Sequence, residues 1–226
     1  MPVADAARTT GAAERLRGFG PPGLIAVAVI LAGSLAGPLV SAPLVLAWAL
    51  ISETPFPALG FKAPRNWTVT MVAGVGLGIV FKLGMKALVM PLLGAPPING
   101  PYHYLAGNAA ALPGIIASVL IGAGFGEELF FRGYLFERLG KLLGHGRTAL
   151  VATVLLTAAP FALAHYHDQG LPGVEQAAVV GLVYGGIYAW QRQIWLLMAA
   201  HAAFDLTAIA LIYWNWEASV AHILFR

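Results

Sequence analysis

GFGEELFFRGYLFERLG, residues Gly124–Gly140, sets two adjacent acids, Glu127 and Glu128, and Arg132 into a helix whose N-terminal half is wholly apolar or small. The residues before it, from Pro113, are apolar or small as well, so Pro113–Leu142 reads as one long helix. An ionisable group at the centre of a bilayer costs about 2.5–3.5 kcal/mol even on the lenient insertion scale, so such groups face inward and find partners. Glu128 and Arg132 stand four apart, in the order that favours an ion pair on one helix face. Glu127 lies about 100° further round an α-helix and is left for a partner elsewhere.

The rest of the chain explains why this segment must be read against lipid. Of 226 residues, 59% are hydrophobic and 10% charged, with a mean hydropathy of +0.77. A soluble domain carries about 25% charged residues, so this chain could not clothe a surface facing water. A span takes about 20 apolar residues, and the length then accommodates about six. The expected fold is all-α, a polytopic transmembrane helix bundle of about six spans. The expected setting is an integral, multi-pass protein of the plasma (cell) membrane. The net charge of +3 comes from scattered lysines and arginines with no aromatic-interleaved cluster, so no nucleic-acid partner is expected. The chain has no cysteine, which excludes disulfides, thiol nucleophiles and thiolate metal sites.

Residues 1–22 read as a flexible N-terminal tail and 23–226 as a single transmembrane domain. The apolar run Leu24–Ile51 exceeds a signal-peptide core of about 7–15 residues. It reads as a retained first span, bent near Pro38 or Pro43. Trp67–Pro91 is the second span, and its Lys82 and Lys86 read as snorkelling to headgroups. The Gly- and Pro-rich stretch after it is a loop or surface segment. Thr148–His165, Gly173–Trp190 and Ile194–Trp216 supply the remaining spans. Gly74/Gly78, Gly122/Gly126 and Gly181/Gly185 mark close helix approach. Six spans would separate the arginines of the tail from Lys62, Arg65, Arg138, Lys141, Arg147 and Arg192, against the positive-inside rule. An extra re-entrant bend in the first apolar run would remove the conflict.

Two further spans carry polar groups at depth. The fourth ends in FALAH, Phe161–His165, and the sixth contains HAAFD, His201–Asp205. His201 and Asp205 are one turn apart, and a carboxylate beside a histidine can orient its ring. Each group has a structural explanation when taken alone: an ion pair, a packed histidine, a self-satisfied pair. Gathered on three helices with almost nothing else ionisable at depth, they point to one shared enclosed site.

EELFFR at Glu127–Arg132, FALAH and HAAFD together resemble the three motifs, EExxxR, FxxxH and HxxxN/D, of the CPBP (Abi) intramembrane proteases, which include the type II CAAX prenyl endopeptidases. The resemblance covers roughly the C-terminal half, with residues 113–216 as the CPBP-like catalytic core. It implies an intramembrane endopeptidase in contact with membrane lipids that acts on a peptide or membrane-protein substrate. In the roles it implies, Glu127 and His165 activate the attacking water. His201 and Asp205 bind the developing oxyanion or hold a metal, and Glu128 and Arg132 scaffold the site. Position 205 is Asp where the prenyl-peptidase branch has Asn, which weakens the carry-over of a CAAX substrate. Zinc is one of two open routes: Glu127, His165 and His201 would supply a known catalytic ligand set, although the HExxH spacing is absent. The other route is metal-free glutamate catalysis. A non-catalytic regulator or peptide-toxin immunity protein on the same scaffold, or a proton-coupled transporter, are the competing readings.

Overall fold

The structure, a computed structural model, describes residues 11–225. Every regular element among them is helical, as the composition led us to expect. In chain order these are α1 (Gly11–Arg17), α2 (Pro21–Leu35), α3 (Pro38–Ile51), α4 (Trp67–Leu92), α5 (Ala109–Leu143), α6 (Arg147–Ala164), α7 (Tyr166–Gln191), α8 (Trp195–Tyr213) and the short α9 (Glu217–Ala221). Helices α4, α5, α6 and α8 are long and apolar enough to cross a membrane, and the bent pair α1–α2 would make five. The expected number was about six. The fifth expected span, Gly173–Trp190, is helical within α7, but Glu175 and Gln176 dilute its apolarity.

The other departure lies in the first apolar run. Gly37 sits at φ 102°, a conformation that other residues rarely adopt, and Pro38 opens the next helix. The run therefore breaks into α2 and α3, of 15 and 14 residues. At about 1.5 Å per residue each is roughly 22 Å long, short of a hydrocarbon core of about 30 Å. The two helices fold back on each other at the break, where a Cβ on Gly33 would collide with Leu44. Their far ends meet again: Trp48 Nε1 donates to the Leu16 carbonyl at 3.2 Å. Of the stretch expected as a flexible tail, 1–22, the residues from 11 onward are helical for the most part and contact the bundle. Ala13 is buried, and Arg138 Nη2 donates to the Arg17 carbonyl at 2.9 Å. Residues 1–10 of that expected tail lie outside the described residues.

The bundle centres on α4 packed along α8. Gly74 and Gly78 make this possible, because a Cβ on Gly78 would run into the Ala200 carbonyl. Asn66 caps α4, its Oδ1 accepting from Val69 N at 3.0 Å. Helix α5 packs on α3 on one side and on α8 on another, while α6 and α7 form an adjoining pair. Between them lies an aromatic core: Trp48 against Tyr134 at 5.0 Å, Phe136 against Tyr188 at 4.9 Å, and Phe131 against Phe161 at 5.0 Å.

Candidate active site

The central part of α5, Ser118–Tyr134, is wound as a π-helix with i→i+5 hydrogen bonds, flanked by α-helical turns at both ends. The α-helical spacing assumed for EELFFR therefore does not apply. Wide turns of this kind recur at functional sites because they re-aim side chains. Gly122, Gly124 and Gly126 leave the approach to neighbouring helices open, and Pro38 at the tip of the α2–α3 turn seats against Gly126. The expected ion pair forms all the same: Arg132 Nη1 donates to Glu128 Oε1 at 2.8 Å, with both side chains buried. Arg132 also lies over the Phe161 ring at 4.5 Å and faces that of Tyr184 at 5.7 Å. Phe161 thus carries the arginine on its face while its ring stands 4.9 Å from His165 and 6.0 Å from His201.

His201 is held by Glu128, not by Asp205. Its Nδ1 is 2.7 Å from Glu128 Oε1, a donor–acceptor distance that places the Nδ1 proton toward the carboxylate. Its Nε2 then faces Glu127 Oε2 at 3.8 Å and Asp205 Oδ2 at 3.7 Å. The orienting role that sequence spacing gave Asp205 passes to the second acid of the EE pair, and Asp205 is left facing the cavity. Glu127 Oε2 is buried without a hydrogen-bond partner in the protein. His165 closes α6, its Nδ1–H directed at the Phe161 carbonyl at 2.8 Å, which turns the opposite ring nitrogen away from its own helix.

Glu127, His165, His201 and Asp205 all line one cavity of about 710 Å³. It extends past Ser34–Pro38 at the α2–α3 turn to Asn99 and Tyr102 on the 94–108 loop and to His167 and Asp168 at the start of α7. Tyr102 is a phenol donor at its rim; burial, then the charge of Asp168, raises its pKa above the ordinary tyrosine value. The structure therefore brings the expected groups to one place, with Glu128 and Arg132 behind them. Glu127 and His165 share the cavity, but no hydrogen bond or ion pair joins them. Among the described residues no group of three His, Cys, Asp or Glu side chains is arranged to hold a metal ion, so Glu127, His165 and His201 as placed do not form the zinc set that sequence allowed.

Two lysines read from sequence as snorkelling are buried instead, and the first of them lines the cavity. Lys82 does not snorkel: it is buried, its Nζ donates to Gln176 Oε1 at 2.8 Å, and it stands 4.8 Å from the centre of the Phe204 ring. Lys86 is buried too, paired with Glu217 at 3.0 Å. The available signal was depth, since Lys82 follows Trp67 by about 22 Å of helix, too far inside for a headgroup contact at that end.

Fold and site together define a membrane-embedded helical bundle with a buried glutamate–histidine centre. Residues 109–207 match the family of Rce1-like type II CAAX prenyl endopeptidases. The resemblance of the three motifs to CPBP proteases is thus borne out, and this stretch of the chain is similar to a family that comprises membrane proteases. Neither the curated proteins nor the solved structures contain a match to the chain.

Proposed function

We propose that this chain is an intramembrane endopeptidase in which Glu127 activates a water for attack on a peptide carbonyl. The observation that carries the reading is the half-buried Glu127 carboxylate in the cavity wall, its Oε2 buried, unpartnered and 3.8 Å from a histidine Nε2. A carboxylate so placed accepts the water proton as the oxygen bonds to the scissile carbon. His201, fixed through Nδ1 by Glu128, presents Nε2 to the oxygen on which negative charge develops. Asp205 cannot donate to that oxygen when ionised; the donor is His201 in its doubly protonated form, Nδ1–H on Glu128 and Nε2–H toward the oxyanion, with Asp205 Oδ2 3.7 Å away. His165 completes the set by positioning the water or carrying the proton to the departing amine. Glu128 and Arg132 hold this geometry from behind. A peptide or membrane-protein segment that enters from the surrounding lipid is the substrate this site suits.

Glu127→Gln tests the reading. Purified in detergent or reconstituted, the variant should fold as the parent does and lose about 10²–10⁴-fold in cleavage rate, the contribution of a general base. Proteolysis that survives the substitution would sink the proposal. A regulator would keep its cellular function in this variant, and a carrier would lose uptake. We further expect the chemistry to run without a resident metal, because the side chains as placed do not converge on one ion. Metal analysis should then return substoichiometric zinc, and chelators should leave cleavage unchanged. Inhibition reversed by added zinc would show the opposite.

A further inference from the structure

The basic residues divide between the two ends of the bundle in a way that sequence order conceals. Arg132, Lys82 and Lys86 are buried inside. Every other lysine or arginine among the described residues, namely Arg15, Arg17, Lys62, Arg65, Arg138, Lys141, Arg147 and Arg192, lies at one end. Contacts between segments fix that end. Arg138 reaches Arg17 O, Gln193 Nε2 donates to Lys62 O at 3.4 Å, Ile194 N donates to Gly60 O at 3.0 Å, and Trp67 stacks edgewise on Trp195 at 5.1 Å. The tail joins this group only because α2 and α3 form a hairpin: Leu16 and Trp48 meet at the basic end, while Pro38 at the tip reaches Gly126 midway along α5. Non-spanning helices are tolerated at membrane depth where, as here, the tip lines a cavity.

At the opposite end, Gly107 N donates to Tyr213 O at 3.0 Å and Asn99 N to Glu217 Oε1 at 3.1 Å, seating the 94–108 loop on the end of α8 and on α9. The rim of the active-site cavity belongs to this end: Asn99, Tyr102, His167 and Asp168, the last two with largely exposed side chains. None of the basic-end residues lines it. Loops rich in lysine and arginine stay on the cytoplasmic side.

From this we infer that Pro21–Ile51 is a re-entrant hairpin and that the active-site cavity opens to the non-cytoplasmic side of the membrane, so that its substrate is a peptide or protein segment presented there and not a cytosolic chain. The topological part stands independently of the peptidase reading; the substrate part rests on it.

Because the chain has no cysteine, single cysteines report sidedness directly. In intact cells expressing the full chain, a membrane-impermeant maleimide should label Ile98→Cys and Trp214→Cys. It should label Leu142→Cys, Trp190→Cys and Glu14→Cys only after permeabilisation. All five positions are exposed, and two independent sites per end, with Glu14→Cys added for the hairpin, guard against a variant that misfolds. The reverse pattern would overturn the orientation. Labelling of Glu14→Cys together with Ile98→Cys would show that the hairpin crosses the membrane and would undo the argument. A quenched fluorogenic peptide added outside should be cleaved by cells carrying the parent and not by those carrying Glu127→Gln. Cleavage by inside-out vesicles alone would overturn the substrate side. The expected labelling with no cleavage in either preparation would sink the peptidase reading and leave the topology standing.

Discussion

Glu127 and Glu128 are neighbours in sequence with opposite energetic roles. Glu128 has no exposure and shares Oε1 between Arg132 at 2.8 Å and His201 at 2.7 Å. Removing its charge leaves the Arg132 guanidinium buried without its carboxylate, and breaking a buried pair from one side costs about 3–5 kcal/mol. Glu128→Gln should therefore lower the thermal unfolding midpoint in detergent markedly. Glu127→Gln, which removes no bonded partner, should leave that midpoint near the parent value while it abolishes cleavage. Equal destabilisation by both would contradict the division of roles. That one acid is paired and the other available could be read from the order EExxxR, because burial forces a cation and an anion on one helix together. That Glu128, and not Asp205, orients His201 could not. The choice depends on how closely α8 approaches α5, a distance that the spacing within HAAFD does not contain.

Within the elements, small residues decide how closely helices meet. Gly78 lies where any side chain would strike the Ala200 carbonyl, whereas Gly76, two residues before it on the same helix, has open space around it. Gly78→Leu should force α4 from α8 and cost at least about 1–3 kcal/mol, the usual penalty of overpacking. Gly76→Ala should be neutral to about 1 kcal/mol stabilising, since it only restricts the backbone. Unfolding midpoints of the two variants, measured side by side, check the contrast; a harmless Gly78→Leu would refute the contact. The Gly74/Gly78 spacing signalled this approach in sequence. The π-helical winding of Ser118–Tyr134 did not announce itself, since its residues are as compatible with an α-helix. The break at Gly37–Pro38 was half legible: proline marked the bend, but only the Leu16–Trp48 contact shows that the chain returns to the end it came from.

For the whole molecule, the tie between Lys86 and Glu217 joins α4 to α9 across 131 residues of sequence, and the same carboxylate accepts from Asn99 N at 3.1 Å. One buried ion pair thus anchors the loop that forms part of the cavity rim. Composition made the bundle legible, because a chain with 10% charge has no other way to satisfy its surface. Nothing local to Lys86 could foretell a partner so distant, and a lysine near a span end ordinarily finds water. Glu217→Met should strand the buried Lys86 charge and cost about 3–5 kcal/mol. It should also expose the 94–108 loop to protease before the spans unfold, since that loop loses its acceptor on α9. Replacing both partners, Lys86→Met with Glu217→Met, removes the stranded charge, and buried pairs replaced by apolar residues are often no less stable. The double variant should therefore recover most of the lost unfolding midpoint while its loop stays protease-sensitive, because Asn99 N–H still lacks its partner. Recovery of loop protection along with the midpoint would mean that the bond from Asn99 to Glu217 does not hold the rim in place.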